Sequence, residues 1–243
     1  MSALGMSQPL QTSQPGTAGS NRISLYGAGG AAALLCLVFL PIQVLVFILH
    51  PLPETTSGWF DLFQQSRLIG LLDLDLLLMV DQSLTILIYL ALFFALKRTE
   101  ASFMVAGLAF GLVSAILFIA SNPAFSMLSL SDQYAAASSA EKDVLLAAGS
   151  AAMAAWQGSA FHASYILGSL APVLISAIML RSSLFKRWTA YLGILSNALA
   201  LGLYVPRIGV FISVFSVLFL WGWYALLASD LLHLGHGHSL EAA

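Results

Sequence analysis

Asp73, Asp75, Asp81 and Gln82 fall in a stretch that is otherwise almost entirely leucine, isoleucine, valine and methionine. A carboxylate in such a setting holds a cation or proton, acts on a substrate, or pairs with a basic side chain and locks the fold. Spacing favours shared faces. Asp75 and Gln82 are seven residues apart and fall on one side of a helix; Asp81 and Thr85, four apart, fall on the adjoining side. Polar groups from elsewhere can join them: Asn122, Gln157, His162, Tyr165, Tyr204 and Arg207. With Asp75, Asp81 and Gln82 they form the candidate ligand-binding set. The expectation for Asp81 is a partner in Arg207 or His162, with Gln82 or Gln157 close by. Asp73-Leu-Asp75 is not an aspartyl dyad, because residues two apart point away from each other on a helix.

The elements that must position these groups follow from composition. The chain has 243 residues, 59% hydrophobic and only 8% charged, with mean hydropathy +0.91. Soluble domains have roughly 45–50% apolar and about 25% charged residues. So few charges cannot coat a water-soluble fold, and nine Lys and Arg are too few for a nucleic-acid interface. A single cysteine, Cys36, excludes a disulfide framework and a multi-thiolate metal site. The class is an integral membrane protein, with the lipid bilayer as its first partner.

A crossing helix needs about 20 mainly apolar residues. Six segments qualify: about Tyr26–Leu49 with Pro41 as a tolerated kink, Leu71–Leu96, Ser102–Ser121, Ser159–Leu180, Trp188–Val205 and Ile208–Leu232. Each backbone amide in lipid must bond within its own segment or in a closed barrel, and ten-residue alternating strands are absent. The expected fold is therefore all-α: a polytopic six-helix bundle over 23–233, with short extra helices on its outer side. Residues 1–22, rich in Ser, Gln, Pro, Thr and Gly, read as a disordered tail, and 234–243 as a flexible one.

Orientation follows the basic residues. Arg22, Lys97, Arg98, Arg181, Lys186 and Arg187 fall on one side; Arg67, Lys142 and Arg207 fall on the other. This places both termini in the cytoplasm of a plasma-membrane protein. Asp81 then lies 16 residues from Lys97, about 24 Å along a helix, inside the outer leaflet. The two long connections are outer. Gly58–Gly70 alternates aromatic and polar residues at helical spacing and suits the membrane interface. Ser138-x-x-Glu141 reads as a capping box that opens a further helix, one that can run on into the fourth span. Val205–Gly209 leaves only a tight turn between the fifth and sixth spans.

Certain polar phrases stand out: Ala120–Ala137, Trp156-Gln-Gly-Ser-Ala-Phe161, Ser164-Tyr-Ile-Leu-Gly168, Ala190–Asn197 and Leu201-Gly-Leu-Tyr-Val-Pro206. Over roughly residues 58–235 the chain resembles the bacterial "domain of unknown function 4386" membrane family. The resemblance implies about six spanning helices and no established activity.

Other features carry less. Asn197, at mid-membrane, suits an interhelical amide bond. Gly107-Leu-Ala-Phe-Gly111 permits close helix approach, favouring packing within the chain over homo-oligomerisation through Gly107 and Gly111. His233, His236 and His238 are glycine-spaced on a tail and read as solvated, so no metal site is expected. Gly27-Ala-Gly-Gly30 follows no strand and is not a nucleotide loop. No nucleophile elbow, H-E-x-x-H or Walker lysine is present. No cofactor or catalytic residue is expected. The leading functional expectation is a small sensor or carrier whose outward-facing polar pocket takes a proton, cation or small ligand. An accessory subunit without a ligand and an intramembrane enzyme are the alternatives. Against classical secondary transport, no internal repeat or matched pair of broken helices is visible.

Overall fold

The structure is a computed structural model and describes residues 16–241; the expected tail residues 1–15, and 242–243, lie outside the described residues. In chain order the helices are α1 (Gly16–Leu49), α2 (Thr56–Gln65), α3 (Arg67–Asp73), α4 (Leu76–Leu96), α5 (Ala101–Ser121), α6 (Ala124–Ala136), α7 (Ser139–Trp156), α8 (Ser159–Met179), α9 (Arg187–Ala200) and α10 (Gly209–Glu241). A 3₁₀ turn, Leu201–Tyr204, extends α9. No strand occurs among the described residues.

α1, α4, α5, α8, α9 and α10 pack in that order into a closed ring, α10 returning to α1. Neighbours run antiparallel, as paired contacts show. Gly107 faces Ile175 near one end of α5, and Ser114 bonds Ser164 nearer the other. Thr189 bonds Asp230, Gly193 faces Trp223, and Gly202 faces Ile212. Gly30 faces Leu232, while the Leu37 carbonyl accepts from Trp221 Nε1 at 2.8 Å. Gly107 and Gly111 are both buried, against Ile175 and the Tyr89 ring, so this seam packs helices within the chain.

Five stretches are long and apolar enough to cross a membrane: Leu25–Leu49, Leu76–Leu96, Ala101–Ala136, Ser139–Met179 and Gly209–His236. This suggests a multi-pass membrane protein. α9 has 14 residues, about 21 Å of rise, and falls below that length. The surface agrees with a lipid environment: Ile48, Phe211, Val214 and Leu218 are exposed, whereas Ser114, Ser164 and Asp81 are buried. The main apolar core, with Leu92, Leu96, Met104, Met179 and Leu231, fills the half of the ring nearest the loop that carries Lys97.

At the other end α2, α3, α6 and α7 form a cap with its own core of Trp59, Phe60, Phe63, Leu74, Ala124 and Met127. The Gly58–Gly70 stretch therefore buries its aromatic face against protein. Ser131 Oγ donates to the Phe60 carbonyl, and Gln64 Nε2 donates to Ser131 O and Oγ, all at 2.9 Å. The Ser138 amide and hydroxyl donate to the Glu141 carboxylate at 2.8 and 2.6 Å, which opens α7 as the capping box predicts. α7 does not run into α8; Gln157 and Gly158 break it.

Three boundaries differ from the sequence reading. The second span begins at Leu76, not Leu71, because α3 ends at Asp73 and Asp75 takes a left-handed backbone with φ 65°. Aspartate tolerates that region better than most residues. α1 already starts at Gly16, within the expected tail. α10 continues to Glu241, so the backbone of 234–241 is helical where glycine spacing predicts a flexible tail. Glycine lowers helix propensity by only about 1 kcal/mol per residue, less than a helix break requires. The Val205–Gly209 turn is as tight as expected. The Gly209 amide donates to the Val205 carbonyl at 2.9 Å, and a Cβ there would collide with the Leu203 backbone, so only glycine fits.

Candidate functional site: a polar cavity in the capped half of the ring

Between α4, α5, α8, α9 and α10 lies a cavity of about 360 Å³. It exists because small side chains line facing helices. Ser114 and Ser164 clamp α5 to α8 reciprocally, each hydroxyl donating to the other's carbonyl at 2.8 and 2.9 Å. This draws the two backbones together and spends both hydroxyls. One wall carries Asp81, Thr85 and Tyr89, spaced four residues apart along α4. Ser213, Ser216 and Tyr224 face it from α10.

Asp81 is 7% exposed. Its Oδ2 accepts a long hydrogen bond from the Tyr224 hydroxyl at 3.4 Å, the Cys36 thiol is its other hydrogen-bonding neighbour, and its Oδ1 has no partner. The expected partners are absent from it. His162 Nδ1 is bonded to the Tyr204 hydroxyl at 3.1 Å, and Arg207 is exposed on its turn with φ 70°. A five-residue turn holds Arg207 at the rim, and His162 faces α9, so neither cation reaches the α4 wall. A leucine at position 81 therefore strands no opposite charge.

Of the predicted set, Asp75, Asp81, Gln82 and Tyr165 line the cavity. Tyr165 is fixed there: its hydroxyl donates to the Ala200 carbonyl at 3.0 Å and meets Ser213 Oγ at 2.6 Å. His162 and Tyr204 form a layer above it, with the Tyr204 ring edge-on to Tyr165 at 6.2 Å. Asn122 serves the fold instead. Its amide donates to the Leu74 carbonyl and its Oδ1 accepts from the Ala124 amide, both at 2.9 Å, which starts α6. Gln157 is exposed at the end of α7.

Sequence reasoning missed several lining groups. Asn197 lines the cavity, but its amide bonds its own helix, at Gly193 O (2.9 Å) and Ser196 Oγ (3.1 Å), and not a neighbouring one. Tyr89, Trp223 and Tyr224 also line the cavity and are absent from the candidate set. The Asp81-Thr85-Tyr89 period was the available signal for Tyr89; nothing in α10 distinguishes Trp223 from Trp221. A second unsatisfied spot lies under the cap. Gln43 Oε1 and both oxygens of Asp73 are buried without partners, while Gln43 Nε2 donates to the Leu72 carbonyl at 2.9 Å. Burial pushes the Asp73 carboxyl upward, and His50 partly offsets this.

At the opposite end of the ring Asp230 is equally buried but satisfied. It accepts from Thr189 Oγ1 at 2.6 Å and from the Lys186 amide at 3.4 Å, with Lys186 Nζ at 3.5 Å. It thus serves the free amides at the start of α9 from another helix. Among the described residues no group of three His, Cys, Asp or Glu could hold a metal. No family model, curated protein or solved structure matches the chain.

Proposed function

We propose that this chain is a six-crossing membrane protein and that its cavity is a ligand pocket open to the outer side, in a small sensor or carrier. The closed antiparallel ring supports six crossings: α9 with its 3₁₀ turn supplies the short fifth, and an even number returns both termini to the side of the basic loops. That side is the cytoplasm in this reading. Membership of the "domain of unknown function 4386" family belongs to the same proposal and rests on the polar phrases named above.

The observation that carries the pocket is Asp81. A carboxylate inside a membrane helix costs at least about 2.5–3.5 kcal/mol, and here one oxygen faces no protein donor while the residue lines a cavity. The accessory-subunit reading accounts for Ser114–Ser164 and Asp230–Thr189, where every polar group meets another. It gives Asp81 no role.

Cysteine accessibility tests the proposal. In a Cys36→Ser background, Ser169→Cys, on the cavity wall, should react with a membrane-impermeant thiol reagent added from the cap side. Ser176→Cys, outside the cavity, should not. Cysteines at Ser57 and Ser138 should label from that side and one at Ser182 should be spared. An inert Ser169→Cys overturns the open pocket; a reversed pattern at Ser138 and Ser182 overturns the orientation.

A further inference from the structure

The geometry points to a small organic monocation, a primary or quaternary amine, as the ligand of this cavity; the inference rests on reading the cavity as a ligand site. Its lining contains two carboxylates, Asp75 and Asp81, and no lysine, arginine or histidine. The nearest cationic candidates of the sequence reading, His162 and Arg207, lie outside it. A carboxylate or phosphate entering this space would meet charge of its own sign with nothing to offset it. A cation would offset the two carboxylates, which no basic side chain of the wall does.

The rest of the wall separates organic cations from metal ions. Calcium takes six to eight oxygens and magnesium a near-ideal octahedron. Much of this wall is instead carbon, including the rings of Phe118, Phe161 and Trp223. Near Asp81 it also carries Tyr89 and Tyr224, the latter tilted against Trp223 with centroids 5.4 Å apart. A carboxylate beside several aromatic rings is the setting in which ammonium groups are held, because ring faces attract a poorly hydrated cation and contact its carbon shell. The volume, about 360 Å³, sits at the small end of ligand pockets, which run from about 300 to 1,000 Å³. An amine of modest size fits; a bulky amphiphile does not.

The test uses the full chain in lipid nanodiscs and three probes of similar size: choline, its neutral carbon isostere 3,3-dimethyl-1-butanol, and the anion 3,3-dimethylbutyrate. Thermal unfolding and calorimetric titration are read for each. The expected result is a choline-induced rise in Tm, at least tenfold weaker binding of the isostere, and none of the butyrate. Asp81→Asn should bring choline down to the level of the isostere, and Trp223→Leu should weaken choline more than the isostere. Equal binding of choline and the isostere overturns the cation inference and leaves the pocket standing. Binding of butyrate over choline does the same. No binding by any probe, with Ser169→Cys inert as well, overturns both.

Discussion

Two carboxylates are buried at opposite ends of the same ring, and their surroundings differ. Asp230 meets a hydroxyl, a backbone amide and an ammonium, and by doing so fixes where α9 starts. Asp81 meets one distant phenol and a thiol, leaves Oδ1 buried without a partner, and lines a cavity. A buried charge whose hydrogen-bonding capacity is filled serves the fold. One that remains short of partners beside a cavity is available to something that is not part of the chain. The half of the ring around Asp230 is closely packed; the half around Asp81 encloses a cavity lined by serines, carboxylates and aromatic rings.

The contrast can be broken by substitution. The largest expected effect is at the filled site. Asp230→Ala removes the acceptor for three donors and should lower unfolding free energy by about 2–3 kcal/mol, read by unfolding in mixed micelles. At the unfilled site Asp81→Leu, a change that strands no charge, should leave stability unchanged or raise it. Equal losses at the two positions would erase the distinction. The cap provides an intermediate case. Ser131→Ala deprives the buried Phe60 carbonyl and Gln64 of their shared hydroxyl and should cost about 1–2 kcal/mol, seen as faster proteolysis within 56–73. Smaller still, Glu141→Ala removes the exposed carboxylate that accepts from Ser138 and should lower Tm only slightly. Tyr224→Phe deletes a long 3.4 Å bond to Asp81 together with the hydroxyl's contacts to Thr85 and Cys36 and should move Tm least; a shift as large as that of Asp230→Ala would mean Asp81 is held as firmly as Asp230.

How much of this could be read in the sequence differs between the fold and the site. Long apolar runs set the crossings, because hydrocarbon length and backbone satisfaction leave few alternatives. The tight Val205–Gly209 turn and the Ser138–Glu141 box were legible because both are local. Asp75 was not legible as a helix break, since a left-handed backbone at a non-glycine residue has no sequence marker. For the site, the α4 face could be read from spacing along one helix. Its partners could not. Which of His162, Arg207, Tyr224 or Cys36 meets Asp81 depends on ring order and helix rotation, and residues of membrane helices carry little pattern that reports either. The resemblance to a family without an established activity added helix count and no chemistry.

The central claim is that Asp81 borders an open, occupied-from-outside cavity. A cryo-electron microscopy map of the full chain in lipid nanodiscs, recorded with saturating choline, tests it most directly. The account predicts non-protein density between the α4 wall and Trp223, beside Asp81. A cavity filled by repacked side chains, or Asp81 turned toward lipid, would contradict it.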